Sequence, residues 1–234
     1  MFEIFSTIPA GGSVFNALAV IIGSSAGLFA GKFINEKLRD AIFNCLGLFT
    51  LYIGINMALS MKHSIAVLLS LVLGTITGYF LGLEDKLNAL GDNIKAKIHA
   101  SDSRFTEGFV TSTLLFCVGA MAIIGSFEDG LRHNPEILIT KGIMDGVAAS
   151  MFAGTFGIGV MFSAPALFIY QGIFTLAGTY LEPFITPDMY ANISGIGGLM
   201  IMGIGLNLMK ITRLRLSDML PGLIYIFFMT MLFA

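Results

Sequence analysis

The chain alternates between apolar stretches about as long as a bilayer is thick and short gaps that hold nearly all of its charges. A helix needs roughly 20 residues to cross about 30 Å of hydrocarbon, and eight stretches of that kind run approximately over 12–33, 41–60, 64–83, 108–127, 137–155, 160–181, 193–210 and 217–234. Only 12% of the 234 residues are charged and 56% are hydrophobic. A water-soluble domain carries about 25% charged residues to cover its surface, so this composition excludes one of ordinary kind. The fold class expected is all-α: a single polytopic bundle of transmembrane helices over 1–234, with eight spans, or seven if the fifth and sixth merge.

The fifth and sixth spans are the ambiguous ones. Lys141 and Asp145 interrupt the fifth, and Gly157-Ile158-Gly159 follows it closely. The segment reads either as two full crossings or as one crossing with a re-entrant hairpin, in which Gly154, Gly157 and Gly159 would break a helix beside a site. The other sizeable gap, 84–107, is polar and has room for a short amphipathic helix over 85–100.

Lys and Arg placement sets orientation. Gaps after odd-numbered spans hold ten basic residues: Lys32, Lys37, Arg39, Lys86, Lys95, Lys97, Arg104, Lys210, Arg213 and Arg215. The opposite side has three, Lys62, Arg132 and Lys141. This bias places the basic loops, 84–107 included, in the cytoplasm and both termini outside. The start, Met1-Phe2-Glu3-Ile4-Phe5, has no basic region before the first span, which argues against a cleaved signal peptide.

Two segments share a tetrapeptide pattern. Ile53-Gly54-Ile55-Asn56 aligns with Ile204-Gly205-Leu206-Asn207 in segments that open Gly47-Leu48 and Gly198-Leu199, and each follows a short polar gap and an Asn, Asn44 and Asn192. The second and seventh spans run in opposite directions in the eight-span order. The alignment therefore suggests an inverted repeat of spans one to three and six to eight, an arrangement many secondary transporters use. Chance similarity of apolar segments is the plain alternative.

Polar groups at membrane depth are costly and commonly face a partner or a cavity. Asp145 lies mid-span one helical turn beyond Lys141, which suits either an ion- or proton-coupled site or a structural ion pair. Gln171, beside Tyr170 and Gly172, suits a solute contact or a bridge between helices. Asn16, Asn56 and Asn207 lie in the first, second and seventh spans, where each serves as an interhelical hydrogen bond or lines a shared polar path. Gly23, Gly27 and Gly31 form a GxxxGxxxG ridge, with shorter ridges at Gly142/Gly146 and Gly74/Gly78; such ridges let backbones approach, within the bundle or between copies. Cys45 and Cys117 lie in apolar runs without ligand spacing, and His63, His99 and His133 sit in gaps without paired ligands. No metal, cofactor, nucleotide-loop or nucleophile signature is present, so neither an enzyme nor a nucleic-acid binder is expected.

The fourth-to-sixth-span region carries Glu107-Gly108-Phe109-Val110-Thr111, Leu114-Leu115-Phe116-Cys117-Val118-Gly119-Ala120-Met121 and Gly125-Ser126-Phe127-Glu128-Asp129-Gly130-Leu131, followed by Asp145-Gly146, Ser163-Ala164 and Tyr170-Gln171-Gly172. With Gly47-Leu48-Phe49-Thr50 and the two IGxN segments, these resemble the signature of the bacterial inner-membrane family known as domain of unknown function 554, over essentially the whole chain. The resemblance implies a multi-pass protein of the bacterial cytoplasmic membrane and brings no substrate. It adds Glu107 and Asp129, which bracket the fourth span, to the candidates, either as site carboxylates or as interfacial markers of the span's ends.

The functional expectation is a small secondary transporter or channel for a small solute or ion, in contact with the lipid bilayer and with room for homo-oligomers. The alternative is a non-transporting membrane component with an assembly, lipid-interacting or sensory role.

Overall fold

The computed structural model describes residues 5, 8, 10–31, 33, 35–181 and 186–233, with side chains withheld at 179–181. Lys32 and the first four residues, which entered the reading of orientation and signal, lie outside the described residues.

Every described regular element is helical. Ten α-helices follow in order: α1 Gly11–Gly31, α2 Glu36–Leu59, α3 Ser64–Leu81, α4 Leu83–Lys97, α5 Phe105–Cys117, α6 Ala120–Arg132, α7 Glu136–Phe156, α8 Ser163–Leu181, α9 Pro187–Leu208 and α10 Gly222–Phe233. Seven segments are long and apolar enough to cross a bilayer singly; the bent pair α5–α6 is either an eighth, broken span or a re-entrant loop. α4 is the surface helix expected over 85–100, shifted two residues toward the N-terminus because Gly82 takes the left-handed conformation (φ 63°) that ends α3.

Two features differ from the sequence reading. The fourth stretch is not continuous: it breaks between Cys117 and Ala120, and the two halves meet at 61°. Gly119 adopts φ 141° there, a conformation that a Cβ disfavours, so the helix cannot run through it. Apolar continuity across 108–127 hides such a break, because hydropathy reports length and not backbone angle. The fifth and sixth stretches, by contrast, are two full-length helical segments. Gly157 (φ 86°) ends α7, and a short 3-10 turn, Ile158–Val160, reverses the chain. Gly154 lies within α7 and breaks nothing; it packs against Gly31.

The chain divides into two compact units. The first holds Met1–Glu36, Gly91–Cys117 and Met121–Phe184. Its centre is the pair α1 and α7, which run parallel with their backbones touching. A Cβ on Gly23 would collide with the carbonyl of Gly146, and one on Gly27 with that of Ser150; at Gly31 it would lie 2.7 Å from Gly154 O. The GxxxGxxxG ridge thus meets a matching small-residue ridge at constant register, as close helix approach in lipid requires. At one end of this unit Asp129 Oδ2 accepts the Gly12 N–H at 3.0 Å, capping α1 from α6. Near the other, Gly159 fits against the carbonyl of Phe105.

The second unit holds Lys37–Leu90, Val118–Ala120 and Ile185–Ala234, so α2 and α3 pack with α9 and α10. α2 and α9 run antiparallel. A Cβ at Gly47 would lie 2.9 Å from Gly205 O and one at Gly54 2.7 Å from Gly198 O; reciprocally, Gly198 faces Gly54 O at 2.6 Å and Gly205 faces Gly47 O at 2.8 Å. The alignment of the two IGxN segments equates Gly47 with Gly198 and Gly54 with Gly205. Exchanging equivalents converts one contact into the other, which is the relation a local two-fold between inverted repeats requires. α3 and α10 are likewise antiparallel, with Gly78 against the backbone of Asp218 and Gly74 against Gly222. Their ends are clasped: Asp218 Oδ1 accepts from Glu84 N–H at 3.0 Å, Glu84 Oε2 accepts from Ser217 N–H at 2.9 Å, and Arg215 donates to Asp218 and Asp85 at 2.7 and 3.0 Å. Those bonds, to Asp218 first, hold the Arg215 guanidinium above its already high ordinary pKa.

Candidate functional site

The first unit carries a layer of polar side chains at one level of its span helices. Lys141 and Asp145, one turn apart on α7, form an ion pair through Nζ and Oδ2. They are 7% and 8% exposed, an unusual state for two charges within an apolar helix. The i, i+4 spacing sets the pair up locally; burial follows from α1, which lies against Gly142 and Gly146 on the same helix.

Asn16 of α1 is fully buried and faces the Asp145 carboxylate, with its backbone against Gly142. Within the protein that carboxylate is the polar partner of its amide. Cys117, the last residue of α5, is buried within the electrostatic reach of both Lys141 and Asp145. The next group in this direction is Tyr170 of α8, within reach of the Cys117 sulfur and without a partner for its buried hydroxyl.

Gln171 belongs to the same level by register. Asp129 binds Gly12, and its neighbour Gly130 packs on the carbonyl of Thr175. One turn further into the bundle from Gly12 and from Thr175 stand Asn16 and Gln171. Gln171 is fully buried and both of its amide atoms lack a protein partner. A buried polar atom left unpaired costs about 1–3 kcal/mol. Both amide atoms of Gln171 are of that kind, whereas the amide of Asn16 faces the Asp145 carboxylate.

The remaining candidates sit elsewhere. Glu107 is exposed near the start of α5. Asp129 is buried, with its Gly12 bond occupying it as a helix cap. Asn56 is exposed on α2 and donates at 2.8 Å to Tyr52 O of its own helix. Asn207 braces the turn after α9, donating to Leu214 O and accepting from Thr212 Oγ1 and Leu214 N–H, each at 2.9 Å. Of the sequence candidates, Asn16, Lys141 and Asp145 therefore come together, and Gln171 stands at the same level by register. Sequence reasoning passed over Cys117 as a packing residue, since nothing in its local run distinguishes it. Asn192, which the sequence marks only through the repeat, accepts from the N–H groups of Lys62 and His63 at 3.0 Å each and donates to Thr230 at 3.1 Å.

Among the described residues no group of three or more His, Cys, Asp or Glu has metal-binding geometry. An open groove of about 490 Å³ lies along α1 and α7, lined by Phe15, Leu18, Ile22, Gly142, Val147 and Ser150 among others. It is apolar, as a surface facing acyl chains is.

The model of the family "Protein of unknown function (DUF554)" matches residues 11–231. The chain belongs to this family. Members similar to it include the "Uncharacterized membrane protein YdfK" of Bacillus subtilis, 31% identical over 217 residues that cover 91% of this chain and 92% of that protein. The "Uncharacterized protein YqgA" of Escherichia coli is 31% identical over 221 residues, 91% of this chain and 93% of that protein. A shorter similarity, 32% over 118 residues, joins 44% of the chain to 59% of a Photorhabdus laumondii protein named "Putative manganese efflux pump MntP". No solved structure matches the chain. As a DUF554 protein it is an integral membrane protein with a helical bundle, and the motif residues spread over α5 to α8 fall on the helices that carry the polar layer.

Proposed function

We propose that this DUF554 protein is a small secondary transporter or channel that passes a small solute or ion through its first unit. The observation that carries the reading is the buried Lys141–Asp145 pair with Asn16 against it and the unpartnered amide of Gln171 at the same level. Charges at membrane depth are expensive and concentrate on permeation paths. The part-length similarity to a protein named as a manganese efflux pump points the same way. The basic-loop bias favours a bacterial cytoplasmic membrane location with both termini outside.

The competing reading is a non-transporting membrane component. It draws on the apolar groove along α1 and α7, whose lining does not include Lys141 or Asp145. Purified protein in liposomes separates the two. Tracer flux for a panel of inorganic ions, manganese included, and small organic solutes is measured with and without a proton gradient. Flux that Asp145→Asn abolishes supports transport; a silent panel rejects it.

A further inference from the structure

The charge count of the polar layer restricts what it can hold. Lys141 and Asp145 cancel, Asn16 and Gln171 are neutral, and from the other packed helices the Cys117 thiol of α5 lies within electrostatic reach of the pair, with the Tyr170 hydroxyl of α8 beyond it. A cation seated on Asp145 would displace the Lys141 ammonium and leave it buried without a partner. An anion seated on Lys141 would strand Asp145 in the same way. Breaking a buried pair by removing one partner is strongly unfavourable, because the residual charge has no compensation. A ligand that carries both charges avoids this. Its carboxylate takes Lys141, its ammonium takes Asp145, and the layer stays neutral throughout.

The neutral side chains fit the same ligand. Each amide offers a donor NH2 and an acceptor oxygen; both of these atoms on Gln171 lack a protein partner, and the amide of Asn16 already faces the Asp145 carboxylate that the ligand would share. A carboxylate needs donors beyond one ammonium, and an ammonium has three protons to place. The flexible four-carbon stem of Lys141 lets its head group move aside to admit a solute while Asp145 stays put.

We infer that the layer is a binding site for a small net-neutral zwitterion, seated between the Lys141 ammonium and the Asp145 carboxylate with Asn16 and Gln171 as its polar walls. The inference rests on the proposed function for its site, and deepens it by naming the ligand class.

The test uses the full chain in nanodiscs, with equilibrium binding of radiolabelled glycine, β-alanine, L-alanine, L-leucine and glycine betaine. Glycinamide and acetate, which carry one charge each, and Mn²⁺ serve as competitors. At least one zwitterion is expected to bind, with glycinamide and acetate at least about 10-fold weaker because each leaves a buried charge unpaired. Asp145→Asn and Lys141→Gln should each weaken binding by about 10-fold or more, and Gln171→Ala by about 3- to 10-fold. Should the charge variants fail to fold, the exchange Lys141→Asp with Asp145→Lys keeps a neutral pair and is expected to retain binding. In liposomes, counterflow of the bound zwitterion should not respond to an imposed potassium diffusion potential. Zwitterion binding without flux would support this inference while rejecting the transport reading. Manganese flux lost in Asp145→Asn, with no zwitterion bound, would overturn this inference and leave transport standing. Binding indifferent to all of the substitutions would overturn the site.

Discussion

The backbone N–H of Gly12 donates to the carboxylate of Asp129 at 3.0 Å, so the first helix is capped by a residue 117 positions away. The capping carboxylate is buried, with Asp129 only 3% exposed. Asp129→Ala is expected to lower stability by about 1–3 kcal/mol, read as an earlier midpoint in thermal unfolding of detergent-solubilised protein. Asp129→Asn, which keeps an acceptor for the Gly12 N–H, should avoid more than half of that loss.

The Lys141–Asp145 pair makes its own prediction for stability. Asp145→Leu and Lys141→Met should each cost about 3–5 kcal/mol, since each strands a buried charge. The double substitution should recover most of the loss, and the cycle built from the four proteins should show a coupling above about 2 kcal/mol. A coupling near zero would mean that the two charges reach water independently.

The two asparagines of the IGxN segments are equivalent in sequence and unequal in duty. Asn56→Leu replaces an exposed side chain that bonds only its own helix, and should leave the unfolding midpoint within about 0.5 kcal/mol of the parent. Asn207→Ala removes three bonds that hold the turn to Leu214, with an expected cost of about 1–3 kcal/mol and faster proteolysis within 208–215.

Glycines should divide by contact in the same way. Gly27→Leu drives a side chain into the backbone of Ser150 and should disrupt the first unit, with a loss of about 3 kcal/mol or more. Gly172 has nothing within 4 Å of where a Cβ would stand. Gly172→Ala should be neutral or stabilising by up to about 1 kcal/mol, through reduced freedom of the unfolded chain.

Much of the architecture was legible because hydropathy sets span length directly: α1, α2, α3, α7, α8, α9 and α10 each overlie an expected stretch. The glycine ridge of α1 was readable as a packing surface, though its partner on α7 was not, since Ser150 interrupts the glycine pattern there. The break at Gly119 escaped because a single backbone angle leaves hydropathy unchanged. At the polar layer, Asp145, Lys141, Gln171 and Asn16 stood out by cost alone. Their grouping, and the local duties of Asn56, Asn207 and Asp129, depended on register between helices far apart in sequence, which no single stretch encodes.

The interleaving of the two units has a consequence for how the protein is made. α2 and α3 are complete by Leu81, whereas their partners α9 and α10 begin at Pro187 and Gly222. At roughly 10 residues per second of synthesis, the glycine seam of α2 waits on the order of 10 s in the membrane before Gly198 and Gly205 exist to fill it. During that interval the exposed seam is open to wrong neighbours, including the small-residue ridge of α1 and the same segment of another nascent chain. Biogenesis factors that shield half-made bundles are therefore expected to hold α2 and α3 longest, and slowing translation between Leu81 and Pro187 should lower the yield of folded protein more than slowing it after Phe233's helix has begun.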